Sequence, residues 1–349
     1  MTHAETPYRH PRRGLLWPFL LVGLLLAAWT GWWFWLATQV ETRLAAQAAA
    51  LAEDGWTIEH APVTTTGWPF RARVSIPHVR IVAPSGHGVA APELVAEANA
   101  WNPDRWVVIA PDGLTLSRAD KGKVGVRAEA LRLSVSHLRA PFPDLRVQAV
   151  EPVFTAHLDA EPFPIASAQL IELYTRPHAA GGAVAGGDEM DVLFRLVDAR
   201  GRRDGPVEAA TQQGRLTAEV EATVARASRL AGVDAAGVFA GWTAAGGRLT
   251  NVRGELSAGD SRARVESAAL SAGPDGRLQG QVALRAERPM AAVAGLAGAR
   301  SGAVNRVGAA GAAAAAAAAG DRPVDLVVRF EDGRTWLGPF ALAPAPKLF

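Results

Sequence analysis

The longest apolar run in the chain begins at Leu15. To Ala37 it reads LLWPFLLVGLLLAAWTGWWFWLA, without one charged residue. At about 1.5 Å of rise per residue, a helix of that length crosses a hydrocarbon core of about 30 Å with some tilt. Pro18 falls near its first turn, where a missing N–H costs little. The segment that follows, ETRLAAQAAALAED, sets Leu44, Ala48 and Leu51 at i, i+4 and i+7, and Gly55 is a helix stop. The pattern predicts an anchor over 15–37 and a helical stalk over 38–54.

Beyond Gly55 the period changes from helical to two. Phe70, Ala72, Val74 and Ile76 alternate with Arg71, Arg73 and Ser75, then Val79, Ile81 and Ala83 take the other parity. A bulge or bend at Pro77 is expected, because proline cannot donate to a ladder. Further strands are predicted at Trp106–Ala110, Leu114–Ser117, Val124–Ala128, Leu131–Val135, Leu145–Val150, Val153–Leu158 and Ile165–Tyr174. The glycine-rich 181–189 segment (GGAVAGG and its flank) reads as a linker between two β-rich halves, 55–180 and 190–349.

In the second half Met190–Val197 resumes a strand, and Leu216, Ala218, Val220, Ala222 and Val224 alternate strictly. Ala227–Ala240 is more helical in pattern. From Gly241 to Pro289, turn signals at Gly246-Gly247, Gly259-Asp260 and Asp275-Gly276 mark a β-meander, and Leu278, Gly280, Val282 and Leu284 alternate with polar residues. Residues 290–319 end in eight alanines and read as an Ala-rich helix, with partial disorder as the alternative. Val324–Phe330 and Trp336–Phe340 close the chain as strands.

Charge sets the expected topology. Arg9, Arg12 and Arg13 precede the apolar run, and no basic excess follows it, which places residues 1–14 in the cytoplasm and the rest across the membrane. The run is longer than a signal-peptide core and ends in the bulky Trp32, Trp33, Phe34 and Trp35, so a retained anchor is expected over a cleaved signal. Trp32, Trp33 and Trp35, with Arg12 and Arg13, are the candidate membrane-interface residues.

Composition narrows function chiefly by exclusion. The formal charge of +2 is spread along the chain, so nothing points to nucleic acid. The absence of cysteine removes disulfides, thiolate metal sites and thiol nucleophiles. The bias to Ala, Gly and Arg over Lys suggests a GC-rich bacterial genome, hence an inner membrane and a periplasm. The eight histidines show no metal-ligand spacing, and no hydrolase elbow or phosphate loop occurs. No catalytic, metal or cofactor residue is proposed from the sequence, and the expectation is a non-enzyme.

Three segments carry a resemblance: GWPFRARVSIPHVRI after the anchor, AWNPDRWVVIAPDGLTL, and the pair GWTAAGGRLTNVRGELSAG and PDGRLQGQVAL with the terminal FEDGRTWLGPFALAPAPKL. Together they are similar to a bacterial, mostly alphaproteobacterial family, domain of unknown function 2125. The C-terminal units are also distantly similar to AsmA-like envelope proteins, which have one anchor and a long periplasmic sheet rolled into an apolar groove. That similarity implies lipid handling or envelope maintenance. The expected fold is therefore mainly β: a transmembrane helix, a stalk and a large curved antiparallel sheet forming a groove or half-barrel. Val74, Ile76, Leu278, Val282 and Leu284 are the candidate groove or core residues. Expected partners are the bilayer, a phospholipid or other amphiphile, and other envelope proteins. The alternative is a scaffold that binds protein partners without a ligand.

Overall fold

A computed structural model of the chain describes residues 13–138, 140, 142–179, 187–212, 214–230, 238–297, 304–319 and 323–348. Anchor and stalk form one helix, α1 (Arg13–Glu53). It ends where the sequence predicts. Gly55 takes a left-handed φ of 85°, its N–H donates to Ala52 O, and the Trp56 N–H reaches Leu51 O. The stalk does not stand free. Trp33, Leu36 and Ala37 are buried and Val40, Leu44, Ala48 and Leu51 half-buried, a stripe at helical spacing. Trp33, Leu36 and Ala37 pack on Ala72 and Ala100, and Thr65 Oγ1 donates to Glu41 Oε1 at 2.6 Å.

The strands of the first half are β1 (Thr57–Glu59), β2 (Thr64–Thr66), β3 (Arg71–Val82), β4 (His87–Asn99), β5 (Asn102–Ile109), β6 (Leu114–Arg118), β7 (Lys123–Arg127), β8 (Ala130–Ser136), β9 (Asp144–Val150), β10 (Val153–Ala156), β11 (Ile165–Ser167) and β12 (Leu170–Pro177). Those of the second are β13 (Glu189–Gly201), β14 (Leu216–Ala225), β15 (Arg248–Ala258), β16 (Ser261–Ala272), β17 (Leu278–Glu287), β18 (Val324–Glu331), β19 (Arg334–Leu337) and β20 (Phe340–Pro344). Among the described residues four further α-helices join them: α2 (Pro206–Thr211), α3 (Val238–Ala244), α4 (Pro289–Ala297) and α5 (Arg306–Ala319).

All these strands belong to one antiparallel sheet. β1 and β2 lie end to end on the outer edge of β3, which pairs with β4. β4 then divides: its first residues pair with β6 and its last with β5. Two lanes run side by side, β5–β8–β9–β12 and β6–β7–β10–β11, and both rejoin on β13. From β13 to β20 each strand pairs with the next. The lanes arise because turns such as Asp112-Gly113 stop the chain early. Two short strands then cover one 13-residue strand, β4 or β13.

Several expectations change. Ile165–Tyr174, read as one strand, is two: β11 and β12 pair with different lanes and meet at Ala168-Gln169. The helical pattern at 227–240 gives a 3-10 turn at Ala227–Arg229 and α3; residues 231–237 between them lie outside the described set. The Ala-rich segment is two helices, with 298–303 likewise outside it. The linker at 181–189 falls mostly on undescribed residues, but its flanks pair directly, Leu170–Pro177 against Met190–Val197. The two halves thus share one sheet. At Pro77 the parity flip is a bend: His78 takes φ 52° and the β3–β4 register is the same on both sides.

Glycine in α5 has a packing purpose that outweighs its helix penalty. A Cβ on Gly308 would lie 1.8 Å from Ala341 O, so only glycine lets α5 approach β20 this closely. The same logic holds at Gly247, whose missing Cβ leaves room for the Trp242 indole. That indole is fully buried and donates to Ala225 O at 2.8 Å. Helices α4 and α5 contribute Val293 and Ala312 to a cluster with Leu337, Leu326, Val328 and Phe340, and so cover the β18–β20 end of the sheet.

Candidate functional site

Side chains alternate across a strand, so strands held in register line up rungs of like chemistry on each face. One rung crosses nine strands from β8 to β18: Arg132, Gln148, Glu172, Arg195, Glu219, Glu255, Arg264, Arg285 and Asp325. The rung one residue away, on the other face, is Leu133, Val147, Leu173, Phe194, Val220, Gly254, Val265, Leu284 and Leu326. The sheet therefore has one charged and one apolar face over more than half its width.

Glu172 is the centre of the charged face and only 3% exposed. Its Oε1 accepts from Arg146 at 3.0 Å, Gln148 at 3.1 Å and the Tyr174 hydroxyl at 2.8 Å, and its Oε2 from Arg195 at 3.4 Å. Arg146 also lies 4.9 Å from the Tyr174 ring centroid. Burial alone pushes the Glu172 carboxyl up, but the hydrogen bonds from Tyr174 and Arg146 and the charges of Arg146 and Arg195 outweigh it and hold it below the ordinary carboxylate value. Burial and the bond to Glu172 move the Tyr174 hydroxyl the other way, up. A carboxylate with its acceptor positions filled by its own protein is a structural clamp, not a general base waiting for substrate.

Farther along, the charged face opens. Over β14–β17 it lines a cavity of about 850 Å³ with Glu219, Glu221, Arg253, Glu255, Arg262, Arg264, Glu266, Arg285 and Glu287. Arg253 pairs with Glu221 at 2.7 Å and Arg264 with Glu255 at 3.1 Å, all solvent-facing. Like charges also stand directly opposite: Glu219 faces Glu255, and Arg264 faces Arg285. The sequence expectation was an apolar groove; the cavity on this face is polar.

The apolar face holds the predicted residues. Val74 and Val282 are buried, and Ile76, Leu278 and Leu284 are half-buried. Val282 packs with Val252, Val265 and Leu270, with Leu278 and Leu284 against them, so here the face is core. Toward β9 and β13 it opens: Val147 is 41% and Phe194 37% exposed, and neither belongs to a buried cluster among the described residues. Val74 and Val282 lie in different stretches of the sheet and do not converge on one site.

The predicted interface tryptophans have a second role. Trp33 is buried and donates from Nε1 to Arg71 O at 2.8 Å; Trp32 reaches Ala100 O at 3.1 Å, and Trp29 reaches Pro69 O at 2.8 Å. Trp35 stays exposed, Arg13 opens α1, and Arg12 lies outside the described residues. Of the tryptophans beyond the helix, Trp242 is buried, while Trp68 and Trp101 are more than half exposed. His137 and His178 each bond one carboxylate, Asp144 at 2.8 Å and Asp191 at 2.6 Å, and His60 meets the Ala61 carbonyl at 2.8 Å. Among the described residues no group of three His, Asp or Glu side chains could hold a metal ion.

The clamp at Glu172 was not legible in sequence. IELYT reads as ordinary alternation, and of the four donors only Tyr174 lies within it; Arg146 and Gln148 come from β9 and Arg195 from β13. Only the register reveals that Arg146, Gln148 and Arg195 share a face with it.

Fold and site together define a mainly β protein with one large antiparallel sheet and an N-terminal helix that is long and apolar enough to cross a membrane. Comparison with family models then makes the assignment specific. The chain belongs to the family described as uncharacterized protein conserved in bacteria, DUF2125, whose model matches residues 33–346. No curated protein and no solved structure matches it.

Proposed function

We propose that this protein is a single-pass bacterial inner-membrane protein, its N-terminus cytoplasmic and its sheet periplasmic, that binds a phospholipid or another amphiphile on the apolar face without catalysing a reaction. The observation that carries this reading is the open part of the apolar rung, Val147 and Phe194 with the half-buried Leu173 between them, on a sheet fixed to the N-terminal apolar helix. Monomeric soluble domains rarely leave contiguous apolar surface uncovered, and an acyl chain is the ligand such a strip suits at a membrane surface. A role in lipid transport or envelope maintenance follows from that binding.

Native mass spectrometry of the detergent-extracted full chain tests it. Co-purified phospholipid that is lost in Phe194→Asp, while the variant still folds and melts cooperatively, is the expected result. Phospholipid retained by that variant, or no lipid in the parent protein, overturns the reading. A reporter fused at Phe349 tests the topology: activity requiring periplasmic folding is expected, and activity confined to a cytoplasmic reporter overturns it.

One observation favours a second reading, a scaffold for other envelope proteins. The cavity on the charged face offers solvent-facing arginine and glutamate ladders suited to a polar protein surface. A protein partner that co-purifies reproducibly without lipid supports the scaffold.

A further inference from the structure

The bonds between α1 and the sheet fix a depth. The helix offers its exposed apolar surface from Leu16 to Ala28, and at Trp29 the sheet begins to touch it. Arg13 is the last base before the apolar run. Crossing a hydrocarbon core of about 30 Å takes about 20 helical residues, so a span starting just after Arg13 reaches its far boundary near Trp33. Trp29, Trp32 and Trp33 therefore stand at that boundary, and they are the residues whose indoles bond to Pro69, Ala100 and Arg71. The end of the sheet is held at the same level.

Two turns make up that end. The one between β2 and β3 carries Trp68 and Phe70, and the one between β4 and β5 carries Trp101. The Ala100 N–H ties them together by donating to Phe70 O at 3.0 Å. All three aromatic side chains are more than half exposed. In water, three large exposed aromatics on two joined turns are an unfavourable surface. At a membrane boundary they are the residues that favour the site, since aromatic rings, tryptophan above all, settle at headgroup level. Just behind them Arg71 and Arg73 share the single carboxylate of Glu97, at 3.6 and 3.1 Å, which leaves one net positive charge facing the headgroups.

We propose that the turns bearing Trp68, Phe70 and Trp101 form a foot that inserts into the phospholipid bilayer beside α1, seating one end of the sheet on the membrane. This rests on the membrane-anchor part of the reading above but not on lipid binding by the apolar face. The seat makes the sheet a fixed extension of the bilayer, with its strands rooted at the lipid surface.

The chain has no cysteine, so single labelling sites can be introduced without background. Trp68→Cys, Trp101→Cys, Leu24→Cys and Asp112→Cys would each carry a polarity-sensitive fluorophore in the full chain, reconstituted in phosphatidylcholine–phosphatidylglycerol vesicles. Leu24 reports on the helix. Asp112 lies in the turn beyond the other end of β5. The expected result is that labels at 68 and 101 lose emission to lipids carrying a spin label near the headgroup and are shielded from aqueous iodide, with Asp112 showing the reverse. Labels at 68 and 101 that respond to iodide as Asp112 does, while Leu24 is quenched by deep spin-labelled lipid, overturn the foot and leave the anchor standing. A Leu24 label that no lipid quenches overturns the anchor and the foot with it. Two foot sites are used so that one misfolded variant does not decide the outcome.

Discussion

The strands β9, β12 and β13 and the strands β15–β18 run through the same two rungs but bury different groups on them. At β9, β12 and β13 the polar face buries Glu172 under Tyr174 and Arg146, while Val147 and Phe194 on the apolar face are open. In β15–β18 the apolar face is closed around Val265 and Val282, while the exposed Arg253 and Arg264 pairs line the cavity. Alternation of residue types is equally clean in both. What differs is what lies over each face: α4 and α5 shelter the far end of the apolar face, and Phe194 and Val147 belong to none of the buried clusters among the described residues. Sequence period sorts residues onto two faces; tertiary cover decides which face becomes interior.

The largest effect expected from this difference is at Val282, which is 8% exposed. Val282→Asp places an unpaired charge in a closed apolar cluster and should cost about 3–5 kcal/mol, measured by denaturant unfolding of the full chain in detergent. A variant that unfolds at the parental midpoint would break the comparison, because the apolar face would then be as open at β15–β18 as at β9 and β13.

Next comes the buried polar centre. Glu172→Ala removes the shared acceptor of Arg146, Gln148, Tyr174 and Arg195 and should cost about 1–3 kcal/mol by the same measurement. The Glu172 carboxyl is depressed in the folded protein. Its stabilising share is then present above the ordinary carboxylate range and is lost as pH falls through the folded value. The stability gap between the parent and Glu172→Gln should accordingly narrow on acidification. A gap that widens instead would show that the carboxylate is a liability the fold tolerates.

Much of this was legible from residue order. The long apolar helix, the helix stop at Gly55 and the alternation of Leu278, Val282 and Leu284 follow from local period and turn chemistry, and the structure bears them out; the meander read over 241–289 has its three strands at 248–287, its first residues belonging to α3. The two lanes between β4 and β13 did not, because nothing in β6 or β8 says which end of a longer strand it will cover. The docked tryptophans were read as a lipid belt, since an indole at a helix end looks the same whether its N–H meets a headgroup or Pro69 O. The Glu172 clamp depends on four donors from β9, β12 and β13, and so appears only with register.

A smaller effect is expected at the open apolar stretch. Phe194 keeps about a third of its surface in water, so Phe194→Asp should shift stability by about 1 kcal/mol, well below the same aspartate at Val282. Equal losses from the two aspartates would erase the distinction between core and strip, and with it the reason to place a ligand there.

The smallest effect belongs to the open polar stretch. Arg253→Gln breaks an ion pair with Glu221 at 2.7 Å, shorter than any contact to Glu172, yet both side chains are solvent-facing. Exposed pairs gain little because water screens them and two long side chains lose freedom in holding one geometry. The expected cost is a few tenths of a kcal/mol, shrinking further as salt is raised through the range where the Debye length falls to about 8 Å and below. Distance alone would rank this pair above the Glu172 contacts, and burial ranks it far below them. Thermal melts of Arg253→Gln and Glu172→Ala across a salt series separate the two rankings. A salt-independent loss at Arg253 as large as that at Glu172 would mean that the cavity is filled in solution and that the charged face is closed along its whole length.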